Sequence, residues 1–182
     1  AGVPSTKADD YLDVIRNKTA ILFAAAVASG AEVAGANQTV IDAAHDYGLQ
    51  LGMAFQIMDD AMDYSLSSDA MGKNSGDDFL DQKITLPLII AYGDGTDAER
   101  DFWQRTIGDG AFADGDFDTA CRILDRYDAI DRSVTEAEKY AKAAAAALDR
   151  IADQTTTSQT SAITALLDAL SETAKFAAHR KN

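Results

Sequence analysis

Three aspartates, Asp59, Asp60 and Asp63, sit inside an otherwise apolar stretch, Phe55-Gln56-Ile57-Met58-Asp59-Asp60-Ala61-Met62-Asp63-Tyr64. Their spacing has the period of a helix, on which residues three, four and seven apart share a side. Gln56, Asp59, Asp60 and Asp63 form one polar stripe; Phe55, Met58 and Met62 form an apolar stripe beside it. Acids clustered next to apolar residues call for a neutralising cation. Hard divalent ions such as Mg2+ take oxygen ligands and commonly bridge protein carboxylates to substrate phosphates. The competing reading is an amphipathic helix whose acids simply face water. The stripe lies near the C-terminal end of its helix, where the dipole disfavours anions, and this adds weight to a cation.

Other groups capable of chemistry are scattered. Lys18 shares a helical face with Tyr11, Ile15 and Leu22, so it either snorkels or meets an anion. Met71-Gly72-Lys73 and Ser75-Gly76-Asp77-Asp78 put glycines beside a lysine. Such a loop can fold over a phosphate, although the same composition is ordinary in loops. It does not match the Gly-x-x-x-x-Gly-Lys-Ser/Thr phosphate loop. Lys83 immediately precedes the apolar run from Ile84 to Tyr92. His45 has no second histidine at ligand spacing and reads as a surface or interface residue. Cys121, the one cysteine, forms neither an internal disulfide nor a cysteine metal site. Within its helical pattern it reads as a small buried hydrophobe. His179-Arg180-Lys181 is either favourable charge at a helix end or a group reaching a phosphate.

Helices must position these groups. Thr6, with Asp9 three residues on, is a partial capping box ahead of a helix over 7–28. Gly30 and Gly35 mark a loose stretch, and a second helix opens near Glu32. The longest early helix spans 40–66, along the line Val40, Ala44, Tyr47, Leu51, Phe55, Met58, Met62. Gly48 and Gly52 inside it each cost about 1 kcal/mol relative to alanine. A close helix crossing recovers that cost; an unusually mobile helix is the alternative. Residues 65–81 read as a polar loop. Thr85-Leu86-Pro87 starts a short helix with Pro87 in its first turn; a buried strand over 88–92 would have no sheet to join. Gly93-Asp94-Gly95 reads as a turn. Further helices are expected over 97–107, with Trp103 in the core, then 117–130, 133–152 and 162–178. A loop over 108–115 and a Thr/Ser-rich break at 155–161 separate them.

Bulk composition agrees. The chain has 182 residues, 47% hydrophobic and 25% charged, which is an ordinary globular balance with room for a sizeable core in one domain. Twelve glycines, two prolines and long alanine runs favour an all-α fold. The formal net charge of −14 leaves no basic patch for nucleic acid. An anionic substrate remains compatible when metal ions stand between it and the acids. No apolar stretch reaches about 18 uninterrupted residues, so no membrane-spanning segment is expected. The first residues carry no charged leader, and a cytoplasmic protein is the default expectation.

From Gly52 to Ile89 the sequence closely resembles the trans-type polyprenyl diphosphate synthases. Their second aspartate-rich motif, Gly-x-x-Phe-Gln-Ile-x-Asp-Asp-x-x-Asp, is filled by Gly52, Phe55-Gln56-Ile57, Asp59-Asp60 and Asp63. The following Gly-Lys-x-x-Gly-Asp-Asp and Lys-x-Thr-Leu-Pro elements fall on Gly72-Lys73, Gly76-Asp77-Asp78 and Lys83 to Pro87. The stretch Tyr11 to Ala20 and the final segment from Leu170 to Arg180 also resemble the family; 94–132 does so weakly. The resemblance implies long helices bundled around a central substrate cavity. It implies a prenyltransferase that condenses isopentenyl diphosphate with an allylic prenyl diphosphate. It implies Mg2+ held by Asp59 and Asp63, with Asp60 as a ligand or as a support through water or a neighbouring ligand. Lys18 and Lys83 would contact the diphosphate, Lys73 would lie near it, and Thr19 and Gln56 would line the same site. A homodimer is also implied.

The same comparison exposes gaps. No Gly-Gly-Lys-Arg-like segment occurs, and members of the family this chain resembles usually run longer than 182 residues. Residues 1–182 therefore read as the C-terminal portion of one synthase domain, inactive without its missing N-terminal half. A class I terpene cyclase shares metal-triggered ionisation, but Gly72-Lys73, Gly76-Asp77-Asp78 and Lys83 fit elongation better. A noncatalytic regulatory subunit is the third reading; retention of the aspartates, Lys18 and Lys83 counts against it.

Overall fold

A computed structural model describes residues 6–64, 76–154, 168–173 and 176–177. The expected Lys73, the break at 155–161 and the basic end at 179–181 lie outside them. Among the described residues the regular structure is helical, with no strand. The helices are α1 (Ala8–Ile15), α2 (Ile21–Val33), α3 (Gln38–Met62), α4 (Asp77–Leu80), α5 (Leu86–Asp94), α6 (Asp97–Trp103), α7 (Asp116–Arg126) and α8 (Ala129–Ala152). Residues 168–173 and 176–177 are also helical. No helix among the described residues is long and apolar enough to cross a membrane.

The chain divides into two compact units. One comprises the described residues up to Asp13 together with Asp59–Thr135; the other comprises Val14–Met58 and the described residues from Glu136 onward.

In the second unit, α3 packs closely on α2. A side chain at Gly48 would put its Cβ 2.5 Å from the Phe23 carbonyl oxygen, and one at Gly52 would come 2.6 Å from the Ala20 Cα. The two glycines thus serve a close crossing, and the mobile-helix alternative falls away. Tyr47, Leu51, Ala144, Ala147 and Leu148 form a buried cluster, flanked by Phe23, Phe55 and Ile151. The Tyr47 hydroxyl donates to the Leu170 carbonyl at 2.8 Å, tying the late segment to α3. Arg150 pairs with Asp46 at 2.7 Å on the same unit's surface.

In the first unit, Trp103, Leu88, Phe79, Tyr64, Ala120 and Leu124 build the core. Trp103 is fully buried, as its apolar setting predicts. Thr96 opens α6 with a complete capping box: Glu99 Oε2 accepts from the Thr96 N–H at 2.8 Å, and the Glu99 N–H donates to Thr96 Oγ1. Tyr127 and Arg126 also donate to Glu99. The Thr96 N–H bond, the Tyr127 hydroxyl and the nearby Arg126 charge hold its carboxyl at about 2, against the opposing effect of burial. Arg105 grips Asp116 with two bonds of 2.8 Å and fixes the turn before α7.

Several boundaries differ from expectation. The single helix over 7–28 is α1 and α2 joined by a π-helical turn, Arg16–Ala20, in which the Ile21 N–H reaches the Arg16 carbonyl. α2 continues through Gly30 and ends at Val33, so Glu32 closes a helix rather than opening one. The break falls at Gly35, whose φ of 75° suits glycine. The expected cap slips by one residue: α1 starts at Ala8, and the Lys7 N–H donates to Asp10 at 3.0 Å. α3 stops at Met62 instead of 66. The run after Lys83 is, as expected, a helix, α5, with proline in its first turn, and the strand alternative falls away. Gly93 and Asp94 belong to that helix rather than to a turn. The expected helix over 97–107 becomes π-helical from Gln104. Cys121 is half-buried, with its thiol 3.9 Å from the Tyr64 carbonyl oxygen. Burial pushes that thiol up from its ordinary value.

Candidate active site

The last turn of α3 carries Asp59 and Asp60 into the first unit, and Asp63 follows directly. The three acids do not share one environment. Asp60 is completely buried, whereas Asp59 and Asp63 are half-buried. A buried carboxylate must be hydrogen-bonded and charge-paired. Asp60 meets both demands: its Oδ2 accepts from the Tyr11 hydroxyl at 2.7 Å and its Oδ1 from the Lys83 ammonium at 2.7 Å. The picture of acids simply facing water therefore fails for Asp60.

Lys83 also donates to Asp78 Oδ2 at 2.9 Å. Asp78 in turn gives its backbone N–H to Asp63 Oδ2 at 3.0 Å, and the Gly76 N–H donates to the Asp63 carbonyl at 3.0 Å. The short α4 is thereby pinned to the end of α3. Gly76 sits at φ 91°, and a Cβ there would lie 2.6 Å from the Phe117 ring, so this turn requires glycine. The result is a hydrogen-bonded chain, Tyr11–Asp60–Lys83–Asp78–Asp63, drawn from α1, α3, α4 and the residues before α5.

Electrostatics follow from this arrangement. Burial pulls Lys83 down, but its hydrogen bonds to Asp60 and Asp78 and their charges outweigh that and raise it. Burial raises Asp63, with the Asp78 N–H bond and the Lys83 charge opposing and the Asp78 and Asp77 charges reinforcing. Burial likewise raises Asp78 against the pull of Lys83. Tyr11 is raised by burial first and by the charge and hydrogen bond of Asp60 next, so its hydroxyl is a donor.

In the other unit, Thr19 and Gln56 meet: Thr19 Oγ1 donates to Gln56 Oε1 at 2.9 Å. Lys18 precedes Thr19 on the exposed side of the π-helical turn. Such turns are frequent at functional positions. His45 is exposed, 3.6 Å from Asp46, and lies in no ligand cluster.

Tyr11 and Asp78 were not among the expected site residues. Tyr11 stands seven residues before Lys18, two helical turns, which gives a shared face but no indication of a partner 49 residues away. Asp78 lay in plain view within Gly76-Asp77-Asp78.

Among the described residues, no group of three or more His, Cys, Asp or Glu side chains is disposed to hold a metal ion by itself. Asp60 is engaged by Lys83 and Tyr11. Asp59 and Asp63, both half-buried, carry oxygen donors of the type that a hard divalent cation takes. A pair of carboxylates is the complement with which Mg2+ commonly binds when substrate phosphates supply further oxygens.

This all-α arrangement is the isoprenoid-synthase fold. A polyprenyl synthase from Caulobacter crescentus, solved with calcium and isoprenyl diphosphate, matches with a TM-score of 0.87 and 38% identity over 98% of this chain and 52% of that one. A decaprenyl diphosphate synthase from Rhodobacter capsulatus matches with a TM-score of 0.84 and 36% identity, over 98% of this chain and 52% of that one. The octaprenyl diphosphate synthase of Haemophilus influenzae is 36% identical over 146 residues, 80% of this chain and 44% of that protein. Residues 2–124 match the polyprenyl synthetase family, and the chain belongs to it. It spans about half the length of the relatives it matches.

Proposed function

We propose that the chain is the C-terminal portion of a polyprenyl diphosphate synthase domain, which elongates an allylic prenyl diphosphate with isopentenyl diphosphate. The observation that carries this is the Asp60–Lys83–Asp78 constellation, with Asp60 buried and Lys83 and Asp78 half-buried, beside Asp59 and Asp63. It presents an ammonium and two further carboxylates within a few residues of one another, a combination suited to a metal-chelated polyanion. The calcium and isoprenyl diphosphate in the Caulobacter crescentus relative support the same assignment.

Asp59 and Asp63 would hold Mg2+, with Asp60 supporting them through Lys83 rather than from the metal side. When bound, the metal neutralises charge that develops on the departing diphosphate. Lys83 donates to the diphosphate oxygens as the carbon–oxygen bond breaks. Lys18, Lys73, Thr19 and Gln56 are assigned to the same diphosphate through their motif positions. Cleavage leaves an allylic cation. The double bond of isopentenyl diphosphate attacks it, and loss of a proton restores neutrality. Apolar walls must keep water from capturing the cation. The N-terminal half, a homodimer and a cytoplasmic location belong to the same proposal.

Asp59→Ala in the complete enzyme tests it. Turnover is expected to fall about 100-fold or more, as when a group that stabilises developing charge is removed, with helicity by circular dichroism unchanged. EDTA is expected to abolish turnover of the unaltered enzyme and Mg2+ to restore it. Normal turnover by Asp59→Ala, or turnover indifferent to EDTA, would sink the assignment.

A further inference from the structure

Lys83 is held from behind by two acids. An ammonium has three donors; Asp60 takes one at 2.7 Å and Asp78 a second at 2.9 Å. The side chain remains 34% exposed. The third donor is thus directed by the other two rather than by the four-carbon stem, which alone is flexible. The clamp works only if Asp60 keeps one orientation. Asp60 is fully buried, and its second oxygen is bound by the Tyr11 hydroxyl at 2.7 Å. Tyr11 is itself 4% exposed, on α1, with no part of its ring available to a ligand beyond that sliver. A residue so placed touches no substrate, yet it fixes the carboxylate that fixes the lysine.

We infer that Tyr11 is a positioning residue for diphosphate binding, acting through Asp60 to aim the Lys83 ammonium. The inference rests on the proposal that Lys83 meets the diphosphate. In its consequence Asp60 serves Lys83 and not the metal. Losing the Tyr11 hydroxyl removes one anchor of the Asp60 carboxylate, and the aim of the Lys83 ammonium loosens with it.

A double-mutant cycle tests this, with inorganic pyrophosphate as probe, in the complete enzyme at saturating Mg2+, by calorimetry. Tyr11→Phe keeps the ring and removes the hydroxyl. Lys83→Gln keeps an N–H donor for Asp60 and removes the charge. Tyr11→Phe is expected to weaken pyrophosphate binding ~3- to 10-fold, the scale of one misplaced charge-assisted bond. In the Lys83→Gln background the same change is expected to have less than a ~2-fold effect, because the group it aims is gone. Thermal melts of all four proteins establish that each is folded. An equal loss in both backgrounds would assign Tyr11 a merely structural role and overturn the inference. So would unchanged affinity in Tyr11→Phe alongside a loss in Lys83→Gln. Should Lys83→Gln itself leave pyrophosphate affinity intact, the contact between Lys83 and diphosphate fails, and the inference falls with it.

Discussion

The Asp60–Lys83 pair fixes what single substitutions should do. Asp60 has no exposure, so a lost partner cannot be replaced by bulk water. Lys83→Ala takes the ammonium from that carboxylate and leaves the Tyr11 hydroxyl bond in place, and removing one member of a buried pair typically costs about 3–5 kcal/mol. Partial exposure of Lys83 moderates this, and a loss of about 2 kcal/mol is expected from denaturant unfolding. Adding Asp60→Asn to Lys83→Ala removes the orphaned charge and should recover most of that loss. A double variant no more stable than Lys83→Ala would show that the pair contributes through packing and not through charge. The sequence marked both residues but not their relation. Spacing put Asp60 on the same stripe as Asp59 and Asp63, and only three-dimensional packing turns it inward to Tyr11 and Lys83.

At the scale of elements, the π-helical turn and the glycine crossing belong together. Thr19 and Ala20 lie in the turn, and α3 lays Gly52 against Ala20 one helical turn before Gln56. That closeness lets Thr19 reach Gln56 at 2.9 Å. Gly52→Ala should therefore do two things: lower stability by about 1–3 kcal/mol through overpacking, and loosen the Thr19–Gln56 bond. Gly30→Ala is the control. Gly30 is an exposed interior residue of α2 with nothing near its absent Cβ, so alanine there should stabilise by roughly 0.5–1 kcal/mol. Melting temperatures moving in these opposite directions would support the crossing; a stabilising Gly52→Ala would refute it. Helices such as α3 and α8 were legible because apolar residues recur at the helical period over many turns. α5 was legible from Pro87. The π-helical turns were not, because a hydrogen bond shifted by one residue leaves no mark on composition. The α6 cap went unread, although Thr96 and Glu99 stand three apart, the spacing of a capping box.

For the whole molecule, the decisive quantities are coverage and charge. The chain aligns with 98% of itself but with 52% of the Caulobacter crescentus synthase, and its net charge is −14. On the proposed reading, Asp59 and Asp63 are the carboxylates available to Mg2+, a cation that prefers six oxygens. Diphosphate and water can supply some of these, but diphosphate is itself an anion and is repelled by the acidic surface out to about a Debye length, ~10 Å at 0.1 M salt. A metal complement completed by acids from elsewhere in the protein would resolve both problems, since it would deliver the substrate as a neutralised chelate. The 182-residue chain alone should accordingly give no detectable elongation of geranyl or farnesyl diphosphate with radiolabelled isopentenyl diphosphate, even at high Mg2+. The complete protein, its mass verified under denaturing conditions to exceed 19.3 kDa, should elongate both under the same conditions. Equal turnover by the isolated chain would mean that Asp59 and Asp63 with Lys83 suffice for ionisation, and the requirement for an N-terminal half would have to be abandoned.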